Sequence, residues 1–476
     1  MKYSMNKIIG VALFSTMFTA CSIPSLVKRE LQHQVPPSFY ESKDTVNSAM
    51  IQWKQYFNDS NLVALIDTAL LNNQELNITL QQIAVAKNEI RVRKGEYLPF
   101  VNLGAGAGTD KVGEYTRQGA IEANHDIKSG TAFPDPLNDF SVSANLTWEV
   151  DIWKKLRNAK KAAIYEYLST IEGRNFMVTN LVAEISNSYY ELLALDNQLE
   201  IVKQYVKIQS DVLKIVKLQK MAGQVTELAV LRFEAELLKN QSRQFYIEQR
   251  IVETENQINF LVGRYPQPIP RDYQGFNTMV PDSIHAGIPS QLMVNRPDIK
   301  QAELELLARK LDIKVAKANF YPQFRIRAGF GYQAFNPKFL FQTPSSMLYS
   351  IAGDLAAPLI NRNAIKAHYL TANAKQVQAV YEYERVVLMA YMDVSNQLSN
   401  IKNLQNSYNL KSQQVEVLNK SITISTTLFK SARADYMEVL LTQRDALESK
   451  IELIETKQQQ MHAMVQIYQA LGGGWN

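Results

Sequence analysis

The chain has 476 residues, about three times the length of a typical domain, so a single compact core is excluded in favour of several domains or one elongated architecture. A net charge of +5 is too mild for a nucleic-acid binder, and 46% hydrophobic content with a mean hydropathy of -0.21 excludes both disorder and a multi-helix membrane protein. Cys21 is the one cysteine, which rules out an intramolecular disulfide and any cysteine-based zinc site.

The N-terminus reads as a secretory leader. Lys2 and Lys7 precede an apolar run from Ile8 to Phe18 that is too short to span a bilayer, and Thr19-Ala20-Cys21 follows. A small residue directly before the cysteine is similar to a bacterial lipobox, although Phe18 replaces the usual aliphatic residue. This pattern assigns 1–20 to a signal peptide and makes Cys21 the acylated N-terminus of a lipid-anchored envelope protein. Beyond Ser22 no uninterrupted apolar stretch is long enough for a spanning helix, so any passage through lipid must use strands.

Strand signals come in two pairs. Phe140, Val142, Ala144, Leu146, Trp148 and Val150 alternate with Ser141, Ser143, Asn145, Thr147 and Glu149. Phe324, Ile326, Ala328, Phe330, Tyr332 and Ala334 likewise alternate with Arg325, Arg327, Gly329, Gly331 and Gln333. Weaker segments from Val101 to Thr109 and from Met347 to Leu355 have a length suited to tilted membrane strands. Period two alone favours a soluble sandwich with one face buried; proline at the start of each pair, strands paired through loops and the envelope leader turn the reading to membrane hairpins.

Long helices follow each pair. Val178, Ile185, Leu192, Leu199, Val206 and Leu213 form one heptad line, and Val380, Val387, Val394, Ile401, Tyr408, Val415 and Ile422 form another, which predicts coiled-coil packing. A helix from Arg157 to Leu218 would be about 90 Å long, and a returning helix from Glu227 to Leu261 makes it an antiparallel hairpin.

The two halves are repeats. Gly223 to Leu231 aligns without gaps on Ala432 to Leu440, and the same offset brings Phe260-Leu261-Val262-Gly263 onto Gln469-Ala470-Leu471-Gly472. Tyr97-Leu98-Pro99 ahead of Gly104-Ala105-Gly106 matches Phe320-Tyr321-Pro322 ahead of Gly329-Phe330-Gly331, and a proline-containing connector between Pro266 and Pro297 joins the halves.

Four strands cannot close a membrane barrel, because open edges in lipid leave backbone groups without partners. Two copies would give about eight strands and a filled interior; three would give about twelve and room for a passage. Glu149, Arg325, Arg327 and Asp354, on the polar strand faces, are the candidates to line that passage.

Four stretches resemble the TolC-like outer membrane efflux proteins: Trp53-Lys54-Gln55-Tyr56-Phe57-Asn58-Asp59-Ser60, Trp148-Glu149-Val150-Asp151-Ile152-Trp153, Asn295-Arg296-Pro297-Asp298-Ile299 and Tyr468-Gln469-Ala470-Leu471-Gly472-Gly473-Gly474-Trp475. The last two are similar to the lipoprotein branch serving resistance-nodulation-division (RND) pumps. Departures are Lys154, where a glycine often follows the aromatic, and Ile288-Pro289-Ser290, where Leu-Pro-Ser is common.

The resemblance implies a mainly α fold with a membrane β-barrel portion: a homotrimer sharing a 12-stranded outer membrane barrel and a long periplasmic α-helical barrel. It implies a lipid-anchored segment with periplasmic helices over 21–96, a first β-hairpin over 97–153 and a first helical hairpin over 154–263. A connector and helix over 264–319, a second β-hairpin over 320–360, a second helical hairpin over 361–472 and a tail over 473–476 complete the chain. The implied role is a passive exit duct carrying drugs or other small toxic compounds, docked to a periplasmic adaptor and an inner membrane RND transporter. The covalent lipid on Cys21 would be diacylglycerol plus an N-acyl chain, with outer membrane lipid as the surroundings. A polypeptide-secretion conduit and a structural lipid-anchored trimer without a pore stand as alternatives.

In relatives the turn between the second pair of long helices constricts the periplasmic end. Here it is expected to carry Arg433, Asp435, Tyr436, Met437, Glu438 and Arg444 as gate residues. Converging carboxylates would repel unless compensated, giving a pH-sensitive closure. The same charges also fit a solvated tip that contacts the adaptor, and Leu441 stands where many relatives carry aspartate.

No enzyme signal accompanies this. Gly104-Ala105-Gly106-Ala107-Gly108-Thr109 lacks the Gly-Lys of a phosphate loop and suits a strand. His33, His125, His285, His368 and His462 are scattered, and the pairs Met389/Met392 and Met461/Met464 suit helix packing, so no cofactor, metal site or nucleic-acid partner is expected.

Overall fold

The computed structural model describes residues 23–29, 35–39, 47–279, 285–358, 362–431 and 433–475. In chain order the described elements are α1 (Trp53–Tyr56), α2 (Ser60–Asn72), α3 (Gln74–Tyr97), β1 (Phe100–Asp110), α4 (Arg117–Asn124), β2 (Asp126–Lys128), β3 (Thr131–Ala132) and β4 (Leu137–Val150). They continue with α5 (Lys155–Met221), α6 (Glu227–Val262), α7 (Leu292–Asn295), α8 (Pro297–Ala318), β5 (Gln323–Ala334), β6 (Met347–Ala356), α9 (Asn363–Lys430) and α10 (Tyr436–Ala470). The chain forms two compact units, one of residues 1–30, 85–167 and 304–380, the other of 31–84, 168–303 and 381–476.

The first unit holds a four-stranded antiparallel sheet in the order β1-β4-β5-β6, with β1 and β6 at its edges. Period-two alternation marks all four strands, whose ladders run up to three residues past its visible limits. The segment between β1 and β4, which alternation leaves as a plain loop, contains α4 and the small β2–β3 hairpin. Local chemistry builds both. Thr116 Oγ1 caps α4 by accepting from the Gly119 N–H at 3.1 Å, and Asp126 Oδ2 accepts from the N–H of Gly130, whose φ of 75° a left-handed turn requires.

The corner from β4 into α5 explains one of the resemblance motifs. Asp151 is buried, and its carboxylate accepts from the Leu156 N–H at 3.0 Å, the Arg157 N–H at 2.9 Å and Arg157 Nε at 3.1 Å, satisfying the free donors of the helix start. The chain can turn there because Lys154 adopts a φ of 59°, the one positive value at a non-glycine among the described residues. That conformation costs a Cβ-bearing residue about 1 kcal/mol and explains why glycine suits this position. Lys154→Gly is therefore expected to raise the thermal unfolding temperature by a few degrees, as read by circular dichroism in detergent.

In the second unit the heptad line Val178, Ile185 and Leu192 is buried in a core shared with Trp53, Phe57, Leu62 and Ile66 and with Ile454, Met461 and Val465 of α10. Aromatic hydroxyls organise this core. Tyr56 stacks on Tyr468 at 4.0 Å and donates to the Met464 carbonyl at 2.8 Å, while Tyr468 donates to the Ile51 carbonyl at 2.5 Å. Burial pushes the Tyr468 phenol up to about 12. Tyr189 donates to Asp59 at 2.8 Å, and the same Asp59 caps α2 through the Asn61 N–H, also at 2.8 Å.

Two further motifs meet in this unit. Arg296 is buried and donates to Asp298 at 2.7 Å and to the Ala470 carbonyl at 3.0 Å, with Asp393 at 3.4 Å. Burial opposes its charge, but these partners hold the guanidinium above its ordinary value. Gly472, at a φ of 91°, lies so close to Asn295 that a Cβ would sit 2.7 Å from its carbonyl, so the glycine tail and the Arg-Pro-Asp turn require each other.

His462 lies between α10 and α5, with Nε2 3.1 Å from the Asn187 carbonyl. Burial lowers its pKa below the ordinary 6.5, against smaller opposing contributions from that carbonyl and from Glu191. Below pH 6.5 the unfolded chain takes up the proton first, so the stabilisation from neutral His462 is complete above 6.5 and is lost as pH falls towards the folded value. His462→Gln should flatten the fall of thermal stability as pH drops below 6.5, as read by thermal unfolding across the acid range.

Candidate functional site: a polar sheet face and a charged helical turn

The register of the sheet sorts its side chains into two opposed surfaces. Glu149 pairs with Arg325 and Arg325 with Asp354, so these three form one row across β4, β5 and β6, and Arg327 lies two residues further along the same face. All four lining candidates therefore share a surface. Glu149 and Asp354, although directly opposite Arg325, bond elsewhere: Glu149 to Lys155 Nζ at 2.5 Å and Asp354 to Arg327 Nε at 3.1 Å. Lys155 is a member of this cluster that the strand pattern missed, because it belongs to the first turn of α5.

Above that row the face is polar and low. Asn102, Asn145, Gly329 and Ser350 form one row and Gly104, Ser143, Gly331 and Leu348 another, Leu348 being the one large apolar side chain in these two rows, with Asp139 and Gln333 beyond, joined at 2.8 Å. Glycine is required at 331, where a Cβ would lie 2.5 Å from the Val142 carbonyl. The run Gly104 to Thr109 lies wholly inside β1, as its alternation of small residues predicts.

The other face carries Val101, Leu103, Phe140, Val142, Leu146, Ile326, Phe330, Tyr349, Ile351 and Leu355. These residues are not a core: Leu103 is 85%, Ile351 81% and Tyr349 78% exposed. An apolar surface of this extent requires an apolar solvent or a partner. Aromatic residues lie towards both ends, Trp148 and Phe324 at one and Phe330, Tyr332 and Tyr349 towards the other. Phe324 and Tyr332 are about 26 Å apart along the strand, close to the ~25 Å apolar band of outer-membrane barrels. At the helical end Trp148 Nε1 donates to the Tyr97 carbonyl at 3.1 Å and Trp153 Nε1 to the Pro322 carbonyl at 2.7 Å, tying the entries to β1 and β5. Trp153 also stacks on Tyr321 at 4.6 Å.

In the second unit the α5–α6 and α9–α10 turns close by the same bond, at the offset of the sequence repeat: Gln224 N–H to the Gln219 carbonyl and Arg433 N–H to the Leu428 carbonyl, both at 2.9 Å. The two turns pack together, Tyr436, Leu440 and Phe429 against Leu213, Val216, Val230 and Phe233.

The gate candidates separate accordingly. Tyr436 and Met437 are half-buried, with Met437 Sδ 2.9 Å from Arg232 Nη1, whereas Arg433, Asp435 and Glu438 are exposed. Asp435 occupies the N-cap of α10 and its carbonyl accepts from the Glu438 N–H at 3.1 Å. Arg444 is not a turn residue: it stands inside α10 and pairs with Asp445 at 3.1 Å, because the helix begins as early as Tyr436. The first turn carries its own charge pair, Lys220 with Glu227, which reading the second half alone overlooks.

Cys21, His33 and the leader lie outside the described residues. Among the described residues no three His, Cys, Asp or Glu side chains are disposed to hold a metal ion.

An antiparallel sheet with one lipid-compatible face and one polar face, in a chain with paired helices of 67 and 36 and of 68 and 35 residues, is the pattern of an envelope protein that meets lipid through strands. The chain belongs to the outer membrane efflux protein family, whose model matches residues 65–264 and 288–473, and it is accordingly an outer membrane protein. It is 26% identical to the pyoverdine export outer membrane protein OpmQ of Pseudomonas aeruginosa, over 89% of this chain and 87% of that one. With the cation efflux system protein CusC of Escherichia coli it shares 24% identity over 96% of both chains. The fold matches the open state of the Neisseria gonorrhoeae MtrE outer membrane channel with a TM-score of 0.82 at 20% identity, over 96% of this chain and 98% of that one. It matches CusC with a TM-score of 0.81 at 22% identity, over 95% and 99%.

The two faces of β6 provide a direct test. Ile351→Arg, on the apolar face, should cost about 2–4 kcal/mol of membrane insertion and deplete the protein from the outer membrane fraction. Ser350→Arg, its neighbour on the polar face, should leave that fraction unchanged.

Proposed function

We propose that the chain is the exit duct of a tripartite efflux pump: three copies close a 12-stranded barrel in the outer membrane and continue it with a periplasmic helical barrel. The observation that carries this reading is the sheet itself, whose β1 and β6 edges need partners in lipid and whose polar face needs water. Three copies supply about twelve strands and a bore, with Glu149, Arg325, Arg327 and Asp354 on its wall.

The helices support the same assembly. Leu231, Leu238, Phe245 and Val252 make a second heptad stripe on α6 that a single copy leaves exposed, which suits a seam with a neighbouring copy. The recurring turn bonds support a duplicated strand-strand-helix-helix design, so three copies present six similar hairpins around an axis.

In this reading Cys21 carries diacylglycerol and an N-acyl chain, and the helical turns meet a periplasmic adaptor that links the duct to an inner membrane RND transporter. Transport is passive, since the energy comes from the pump. The cargo belongs to the small toxic compounds; the names of the relatives, which run from pyoverdine through solvent and toluene to cations, favour no single member. Arg433, Asp435 and Glu438, exposed at the turn, together with Tyr436 and Met437, form the constriction, and ion pairs of Arg433 with the carboxylates of neighbouring copies hold it shut against the mutual repulsion of like charges about the axis.

Planar-bilayer recording of the purified oligomer tests the whole. Wild type should give a low, intermittent conductance, and Asp435→Asn with Glu438→Gln should raise the open fraction several-fold. A purified monomer, or a trimer without conductance, would reject the duct; a conducting trimer indifferent to both substitutions would reject the gate alone.

A further inference from the structure

The long helices carry apolar stripes that do not tell one partner from another. Leu440, Leu447, Ile454 and Met461 of α10 lie in clusters with α5 residues between Val178 and Val216. The repeat that sets Gly223 on Ala432 sets Leu231, Leu238, Phe245 and Val252 of α6 on those same positions. α6 thus presents the stripe by which α10 holds α5, and presents it exposed. By apolar contact alone, α6 of one copy is as good a partner for α5 of another as α10 is.

One level of this packing differs. Gln209 of α5 and Asn240 of α6 are each 1% exposed and Gln443 of α10 is 2% exposed, three buried amides between two apolar clusters. Asn240 Nδ2 donates to Gln209 Oε1 at 3.0 Å. Leu440 shares a cluster with Leu213 and Val216, and Leu447 shares one with Val202 and Tyr205, so Gln443, between them, stands level with Gln209. Gln209 keeps a donor, Nε2, and Gln443 an acceptor, Oε1, that no other group among the described residues takes. A spare donor and a spare acceptor at one buried level are complementary.

The repeat breaks at this level. It sets Gln443 on Glu234 of α6 and Gln209 on Leu418 of α9. With α6 in the place of α10, the Glu234 carboxylate would be buried beside Gln209; with α10 moved onto α9, the Gln443 amide would meet Leu418. Either error buries a polar group away from its match, and a buried charge is worse than a buried amide.

We propose that Gln209 and Gln443 are specificity-determining residues for helix pairing: they reserve α5 for α10 and, with Glu234 as the repelling element, turn away α6 of a second copy. The proposal rests on the assembly of several copies put forward above. An amide layer is less stabilising than leucine at the same positions, but it specifies one partner where the apolar stripes accept two.

The test counts α6 seated on a foreign α5. Two differently tagged full-length chains are co-expressed, one with Leu213→Cys and the other with Leu231→Cys, and the disulfide joining them is read as a linked peptide by mass spectrometry. Leu213→Cys with Leu440→Cys, from one cluster, is the positive control. The wild-type background should give little linked peptide, and Glu234→Gln and Gln443→Glu should each raise it about tenfold. Glu234→Gln alters a half-buried side chain and leaves α5 and α10 intact, so an unchanged yield in that variant overturns the proposal. Lower thermal stability in Gln443→Glu with no rise in linked peptide marks the amides as packing alone and also overturns it. Native mass spectrometry of the wild type separates the two readings: a monomer overturns the duct assembly and this proposal together, whereas an oligomer with unchanged yields overturns this proposal alone.

Discussion

The controlling constraint on this molecule is the hydrogen-bonding demand of two strand edges. β1 and β6 each present backbone donors and acceptors on their outer side, next to a sheet face that is apolar and exposed. In water those groups would be solvated; in hydrocarbon each unpaired group costs several kcal/mol. A polypeptide that carries such a sheet into a membrane must find further strands, and an identical neighbour offers a β1 for every β6. The proposed assembly of identical copies therefore rests on the ladder before any helix is considered.

Much of the sheet could be read from residue order. Alternation named the four strands, and because direct cross-strand partners share a face, Glu149, Arg325, Arg327 and Asp354 fell together once the register was known. Which partner each charge selects was not legible, since it depends on Lys155 approaching from a helix and on a diagonal reach between Arg327 and Asp354. The interior of the β1–β4 connection was also hidden. α4 and the β2–β3 hairpin are too short for periodicity to reveal and depend on single caps and one positive-φ glycine.

The resemblance motifs acquire physical meaning only in three dimensions. The Asp59 that caps α2 also receives the Tyr189 hydroxyl, and Arg296 and Gly472, far apart in sequence, hold the two sides of one contact. Asp151 organises the strand-to-helix corner so firmly that Lys154 tolerates a backbone angle better suited to glycine. The turn residues are the counterexample. Sequence placed Arg433, Asp435 and Glu438 at a tip, but could not tell that Tyr436 and Met437 turn inward or that Arg444 is already helical, because a helix start is set by packing against the neighbouring turn.

The glycines on the polar face have a consequence for what that face can bind. Where Gly104, Gly329 and Gly331 stand, the face offers bare peptide units, with Asn145, Ser143 and Ser350 between them and Leu348 as the one large apolar neighbour. Such a surface exchanges hydrogen bonds with water or solute almost indifferently and has few protrusions to grip a particular shape. Under the proposed assembly, any selectivity of this face would therefore rest on the charged row of Glu149, Arg325, Arg327 and Asp354 and not on the glycine-lined stretch.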